Sequence, residues 1–312
     1  MTQASLAERL NGLLFFPVTA YHADGSLNLD AYRAHLRAGV DAGAGAVFAA
    51  CGTGEFHALT LTEYRACVAA AVEVTGGAVP VVAGTGYGTA MATEFAREAE
   101  AAGADGLLAL PPYLVQAGQA GLLRHYRALA EATRLDVIVY QRDNVLLTPA
   151  TVTELAQTPG IVGLKDGLGD LDLFQRIVST VRDHHPDSDF RYFNGLPTAE
   201  LTQPAYRALG VHLYSSAVFC FAPEIALAFH AALDRGGPDG EATVRRLLDG
   251  FYRPLVELRN RGRGYAVSLV KAGVRLRGLD VGEVRTPLTE PAPDHLAELA
   301  TLLKHGLALV GE

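Results

Sequence analysis

Residues 136–165 read DVIVYQRDNVLLTPATVTELAQTPGIVGLK. Two apolar runs, 136–140 and 161–165, flank a helical pattern over 149–157 that opens with Pro149 in its first turn. The runs are nearly continuous in Val, Ile, Leu and Gly rather than alternating, as strands buried on both faces should be. The segment therefore predicts one strand–helix–strand unit of a parallel sheet.

The same pattern extends in both directions. Strand-like runs fall at 12–18, 45–50, 79–84, 106–110, 136–140, 161–165, 191–194 and 211–214. Helical patterns fall at 29–42, 60–75, 89–102, 118–133, 149–157, 170–183, 197–208 and 222–235. Thr60 and Glu63 have the spacing of a capping box, and Pro223 sits at a first-turn position. Eight strands alternating with eight helices predict an α/β chain folded as a (β/α)8 TIM barrel over residues 1–236. A doubly wound open sheet also alternates, but the count of eight and the lack of a G-x-G-x-x-G loop favour the barrel. Segments 38–50 and 99–110 echo one another, each an Ala/Gly-rich helix end leading into a strand. Beyond Gly236-Gly237-Pro238 the strand pattern stops, and helices expected near 239–260, 264–275 and 293–308 form a C-terminal helical extension, 237–312.

Composition sets the outer limits. The chain has 312 residues, 49% apolar and 19% charged, with a net charge of −8. This excludes disorder as the main state, and an acidic balance without a basic run argues against nucleic acid. No run of about 18 apolar residues is present to span a membrane. Glu8 and Arg9 fall where a secretory leader would place its apolar stretch, so a cytoplasmic location is expected. Cys51, Cys67 and Cys220 are too few and scattered for a disulfide framework, and no His or Cys spacing suggests a metal site.

In a barrel, reactive groups gather where strands end. Only three of the 26 basic residues are lysines, so each asks for a reason. Lys165 directly follows a buried run, where lost hydration favours the neutral amine. Such an amine attacks a carbonyl to form a Schiff base. The alternative is a structural lysine paired with Asp166 or another carboxylate. Lys271 reads as amphipathic-helix material with its stem along the surface, and Lys304 as a solvated tail residue. Tyr140 ends the strand beside that of Lys165, close enough to exchange protons with a substrate, or else it is a buried aromatic with a bonded hydroxyl. The turn Gly52-Thr53-Gly54 can bring amides and a hydroxyl to an anionic oxygen, or be a plain tight turn. Glu55 carries charge into the site or binds loop amides. Asn194, Ser215 and Ser216, at the ends of strands seven and eight, are candidate donors to a second carboxylate.

These strand-end motifs, with Gly163-Leu164-Lys165-Asp166, resemble the class I aldolase superfamily of dihydrodipicolinate synthase and N-acetylneuraminate lyase along essentially the whole chain. Within it, Phe15-Phe16-Pro17-Val18-Thr19, Tyr140-Gln141-Arg142-Asp143-Asn144, Phe193-Asn194-Gly195-Leu196-Pro197-Thr198 and Tyr214-Ser215-Ser216 resemble the 5-dehydro-4-deoxyglucarate dehydratase family. The resemblance implies a keto sugar diacid as substrate, no metal or organic cofactor and a homotetramer. It also implies Lys165 as the Schiff-base residue, Tyr140 as proton shuttle, and Thr53 assisting Tyr140 or the substrate carboxylate, with Gly52, Gly54 and Glu55 around it. Three departures argue against the synthase activity, one being the Arg142-Asp143-Asn144 pattern in place of the arginine that the superfamily carries a few residues after the strand-five tyrosine. Gly52 stands where the wider superfamily carries a second hydroxyl, and Leu114 where it carries the second tyrosine of its relay. A retro-aldolase releasing pyruvate, a non-catalytic binding barrel and a flavin- or phosphate-binding barrel are the competing readings.

Overall fold

In the computed structural model, which describes residues 5–311, the apolar runs form eight parallel strands. They are β1 (Leu14–Phe15), β2 (Ala46–Ala49), β3 (Val81–Thr85), β4 (Gly106–Ala109), β5 (Asp136–Gln141), β6 (Ile161–Asp166), β7 (Arg191–Asn194) and β8 (Leu213–Ser216). Each pairs with the next, and β8 pairs with β1 to close the barrel. A short helix, α1 (Leu6–Arg9), precedes β1. The barrel helices are α2 (Leu29–Asp41), α3 (Leu61–Thr75), α4 (Thr89–Ala101), α5 (Gln119–Glu131), α6 (Pro149–Ala156), α7 (Leu171–His184), α8 (Gln203–Ala208) and α9 (Pro223–Arg235). The expected capping box at Thr60 and Glu63 is formed, and Pro149 and Pro223 open their helices.

Successive strand residues point to opposite faces. Leu14, Ala46, Phe48, Val82, Leu108, Ile138, Phe193 and Leu213 fill the barrel interior. Phe15, Val47, Val81, Leu107, Val137, Val139 and Leu164 pack outward against the helices. The interior is thus a plug of side chains, and only the strand ends are open to a ligand. Helix α1, absent from the sequence expectation, is capped by Ser5 and Glu8 and sends Leu6 and Leu10 into the interior cluster. Gly106 makes room for it, since a Cβ there would lie 2.3 Å from Leu6 Cδ2.

The C-terminal stretch forms α10 (Gly237–Leu247), a π-helical turn at Leu248–Tyr252, α11 (Arg253–Arg259), α12 (Tyr265–Leu276) and α13 (Pro293–Val310). The single helix expected over 239–260 is thus interrupted by the π turn. Met1–Ala4 and Glu312, at the ends of the expected barrel and extension, lie outside the described residues. Helices α11 and α12 contribute to the carboxyl-end cavity of the barrel. The surface role expected for Lys271 is overturned, because α12 places that side chain at 0% exposure. Among the described residues no helix is long and apolar enough to cross a membrane.

Candidate active site

The pairing of β5 with β6 sets Tyr140 directly beside Lys165, and β7 sets Phe193 on the other side. Lys165 and Tyr140 are both buried yet line one cavity of about 410 Å³ at the carboxyl end of the barrel. Lys165 Nζ lies 4.0 Å from the centre of the Tyr140 ring and 5.0 Å from that of Phe16. The Tyr140 hydroxyl donates to the Gly195 carbonyl at 2.8 Å. Glycine is required at 195. A Cβ there would come within 2.7 Å of Lys165 Cγ and 2.9 Å of the Tyr140 ring, separating the two side chains from the strand-seven backbone.

Strand alternation decides the pairing of Lys165. Asp166, the next residue, must point to the opposite face. There it accepts hydrogen bonds from Gln141 at 2.8 Å, from the amides of Leu168 and Gly169, and from the Tyr206 hydroxyl. The other buried carboxylates are also occupied, Glu55 by Lys271 and Glu200 by the Ser216 hydroxyl. Among the described residues Lys165 forms no ion pair. The neighbouring thiol of Cys51 is no rival nucleophile, since burial pushes it up to about 12, with Lys165 opposing.

The remaining expected residues divide. Gly52, Thr53 and Ser215 line the cavity with Lys165 and Tyr140. Gly54 lies just behind, its carbonyl accepting from the buried Thr19 hydroxyl at 2.7 Å. Three assignments to substrate binding are corrected. Glu55 is fully buried, with one oxygen 2.8 Å from Lys271 Nζ and the other accepting from the Arg285 amide at 2.8 Å. It holds the β2 loop to the C-terminal extension instead of meeting a ligand. Asn194 is in register with Asp166 and shares its outward face. Its amide donates to the Ala199 carbonyl, Thr202 and Gln203. Ser216 is buried behind Ser215, donating to Glu200 and accepting from the Phe219 amide. Burial raises the Glu200 carboxyl to about 7, partly offset by that serine.

Two arginines complete the cavity, and neither was expected there. Arg142 follows Tyr140 by two residues and so shares its face, a signal present in the sequence. Arg259, at the end of α11, reaches the cavity from the extension, and no local pattern announces it. The lining holds Lys165, Arg142 and Arg259 but no aspartate or glutamate, in a chain of net charge −8. Such a cavity concentrates anions. Its amine can add to a carbonyl, its phenol can carry a proton, and its guanidinium groups can hold carboxylates. Among the described residues no cluster of His, Cys, Asp and Glu suits a metal ion.

The sequence model of the dihydrodipicolinate synthetase family matches residues 9–306. A probable 5-dehydro-4-deoxyglucarate dehydratase 1 from Streptomyces coelicolor is 70% identical, the match covering 100% of this chain and 99% of that protein. A probable 5-dehydro-4-deoxyglucarate dehydratase from Azotobacter vinelandii is 47% identical over 97% and 98% of the two chains. Among solved structures, dihydrodipicolinate synthase from Bacillus clausii superposes with a TM-score of 0.85 at 27% identity, covering 97% of this chain and 98% of that one. A prophage protein of the dihydrodipicolinic acid synthase family from E. coli K12, solved in complex with pyruvate, superposes with a TM-score of 0.82 at 26% identity over 95% and 98%. With a closed barrel, a strand-six lysine and a match over nearly its whole length, this chain belongs to the dihydrodipicolinate synthetase family.

Proposed function

We propose that this chain dehydrates and decarboxylates 5-dehydro-4-deoxy-D-glucarate to 2,5-dioxopentanoate, carbon dioxide and water, in sugar-diacid catabolism. One observation carries the reading: an amine without a carboxylate partner lies in a cavity lined by two arginines and no acid. That setting suits a ketone flanked by carboxylates. The names of the Streptomyces and Azotobacter relatives support the same substrate.

The chemistry follows from the residues. Lys165 Nζ adds to the ketone and water leaves, giving a cationic imine. Tyr140, or a water it positions, removes a proton from the adjacent methylene. The enamine electrons then expel hydroxide one carbon further on, and that hydroxide leaves as water with a proton from the same phenol. This leaves an alkene conjugated to the imine beside a secondary alcohol, and transfer of that alcohol's C–H and O–H protons to the two alkene carbons gives the second ketone and restores the imine. The carboxylate bonded to the restored imine carbon then departs as carbon dioxide, leaving its electron pair on that carbon, where the adjacent cationic nitrogen stabilises it until a proton arrives. Protonation and hydrolysis return the amine and leave an aldehyde. Gly52 and Thr53 hold the departing carboxylate with neutral donors, since a tight cationic grip there opposes its loss.

The three cysteines are free and buried, in keeping with the reducing cytoplasm. Tyr113, Leu114, Val115 and Leu146, on the loops after β4 and β5, are exposed apolar side chains, in keeping with self-association as a tetramer. The test is to supply the keto-deoxy diacid and measure products. Equimolar carbon dioxide and 2,5-dioxopentanoate are expected, with a borohydride-trapped adduct on Lys165. Pyruvate in place of carbon dioxide assigns the site to retro-aldol cleavage. No adduct at all leaves the barrel a binding protein.

A further inference from the structure

Dehydration with decarboxylation treats the two carboxylates of the substrate differently, because one leaves and the other stays. A cation on the retained group costs the reaction nothing and separates diacids from monoacids. The cavity contains two arginines for that role, and their surroundings differ. Arg142 already meets the Asp143 carboxylate, Nε to Oδ2 at 3.0 Å, in a pair at the cavity rim. Arg259 meets only neutral acceptors. Its Nη1 donates to the Pro197 carbonyl at 2.6 Å and the Thr198 hydroxyl at 2.9 Å, and Nε and Nη2 share the Asn260 side-chain oxygen at 3.3 and 3.1 Å. One Nη2 proton and the whole positive charge are left uncompensated, at a half-buried position where a charge is undersolvated.

Thr198 supplies an independent observation. It is a β-branched residue at φ 53° and ψ 62°, in the left-handed region that such side chains avoid. The conformation is strained and persists only where the surroundings impose it. It seats the hydroxyl, 6% exposed as a residue, against Arg259 and the cavity. Because Arg259 donates to Thr198 Oγ1, the threonine's own O–H is directed elsewhere, and among the described residues it has no acceptor.

We infer that Arg259 and Thr198 together bind the carboxylate farthest from the imine and make the enzyme selective for keto diacids. This rests on the Schiff-base reading above and extends it. The carboxylate takes the free Nη2–H of Arg259 and the free O–H of Thr198. Lys165 and the neutral Gly52 and Thr53 keep the reacting end.

The experiment compares two substrates in one set of variants. Turnover is measured with the keto-deoxy diacid, and borohydride trapping at Lys165 is measured with pyruvate, which lacks the distal carboxylate. Arg259→Met is expected to lower kcat/KM for the diacid roughly 10²-fold, mainly through KM, while pyruvate trapping stays at the wild-type rate. Arg259→Lys restores part of the loss, since an ammonium keeps the charge without the fork. Thr198→Val costs roughly tenfold on the diacid alone. An unchanged diacid KM in Arg259→Met overturns the assignment. So does an equal loss with both substrates, which would mark Arg259 as scaffolding for the β7 loop. A wild-type protein that traps no keto acid sinks the Schiff-base reading itself, and the selectivity inference with it.

Discussion

Lys165 at the end of β6 and Lys271 in the middle of α12 are both buried, at 5% and 0% exposure. Each holds its Nζ about as far above a tyrosine ring, 4.0 Å over Tyr140 and 4.1 Å over Tyr21. The cation–π contact therefore distinguishes nothing. What differs is the carboxylate. Lys271 has Glu55 at 2.8 Å, and the Arg285 guanidinium lies on the same Tyr21 ring, which ties the β2 loop to the extension. Burial lowers the Lys271 ammonium from its ordinary range, and the Glu55 charge opposes that shift. Among the described residues Lys165 has no such partner, and it opens on the cavity. A buried lysine with a carboxylate is construction material, and one without is available for chemistry.

The largest effect expected from breaking this comparison is at Lys165. Lys165→Met should abolish borohydride trapping and lower turnover by roughly 10⁴-fold or more, the order seen when a covalent nucleophile is removed. It breaks no ion pair among the described residues, so Tm should hold or rise, as often happens when a buried functional group is replaced by an apolar one. Product assays and thermal unfolding on one preparation check both halves. A large fall in Tm would mean that Lys165 is structural after all.

Lys271→Met should show the reverse pattern. It removes the cation in contact with the buried Glu55 charge, leaving the Arg285 amide bond and the more distant Arg285 guanidinium, a change worth about 3–5 kcal/mol. For a chain of this size that is a drop on the order of 10 °C in Tm. Adding Glu55→Gln should recover much of the loss, because the uncompensated charge is then gone. If the two substitutions are additive in thermal unfolding, the pair is not coupled and the clasp has been misassigned.

The same contrast shows how far the sequence could be read. The strands were legible because burial on both faces leaves continuous apolar runs, and the helices because caps such as Thr60 and Glu63 are local. That Lys165, Tyr140 and Thr53 line one cavity was legible because strand ends in a barrel meet there. Asn194 and Ser216 were misplaced by a single residue of alternation. Ser215 and Ser216 are adjacent on a strand and cannot both face the cavity, and Asn194 is in register with the outward Asp166. Glu55 was misread for a different reason. Its partners lie 216 and 230 residues away, and nothing near Glu55 announces them. Arg259 and the π turn before α11 are beyond local reading for the same reason.

The two tyrosines carry the comparison to smaller effects. Tyr140→Phe should lower turnover roughly 10²-fold through lost proton transfer, while trapping at Lys165 persists in part. Unchanged turnover would remove the phenol from the mechanism and leave the Gly195 hydrogen bond as its only role.

Tyr21→Phe should do least. The Tyr21 hydroxyl is buried without a hydrogen-bond partner among the described residues, and burial with the nearby Glu55 charge holds it far above the usual phenol range. It therefore neither donates usefully nor ionises. Phenylalanine keeps the ring under Lys271 and Arg285 and removes only a desolvated O–H. Turnover should stay within about twofold, the scatter of a surface-neutral change, and Tm should not fall. A loss of activity comparable to that of Tyr140→Phe would show that the clasp transmits the position of α12 to Thr53, and that the two lysine sites are one machine.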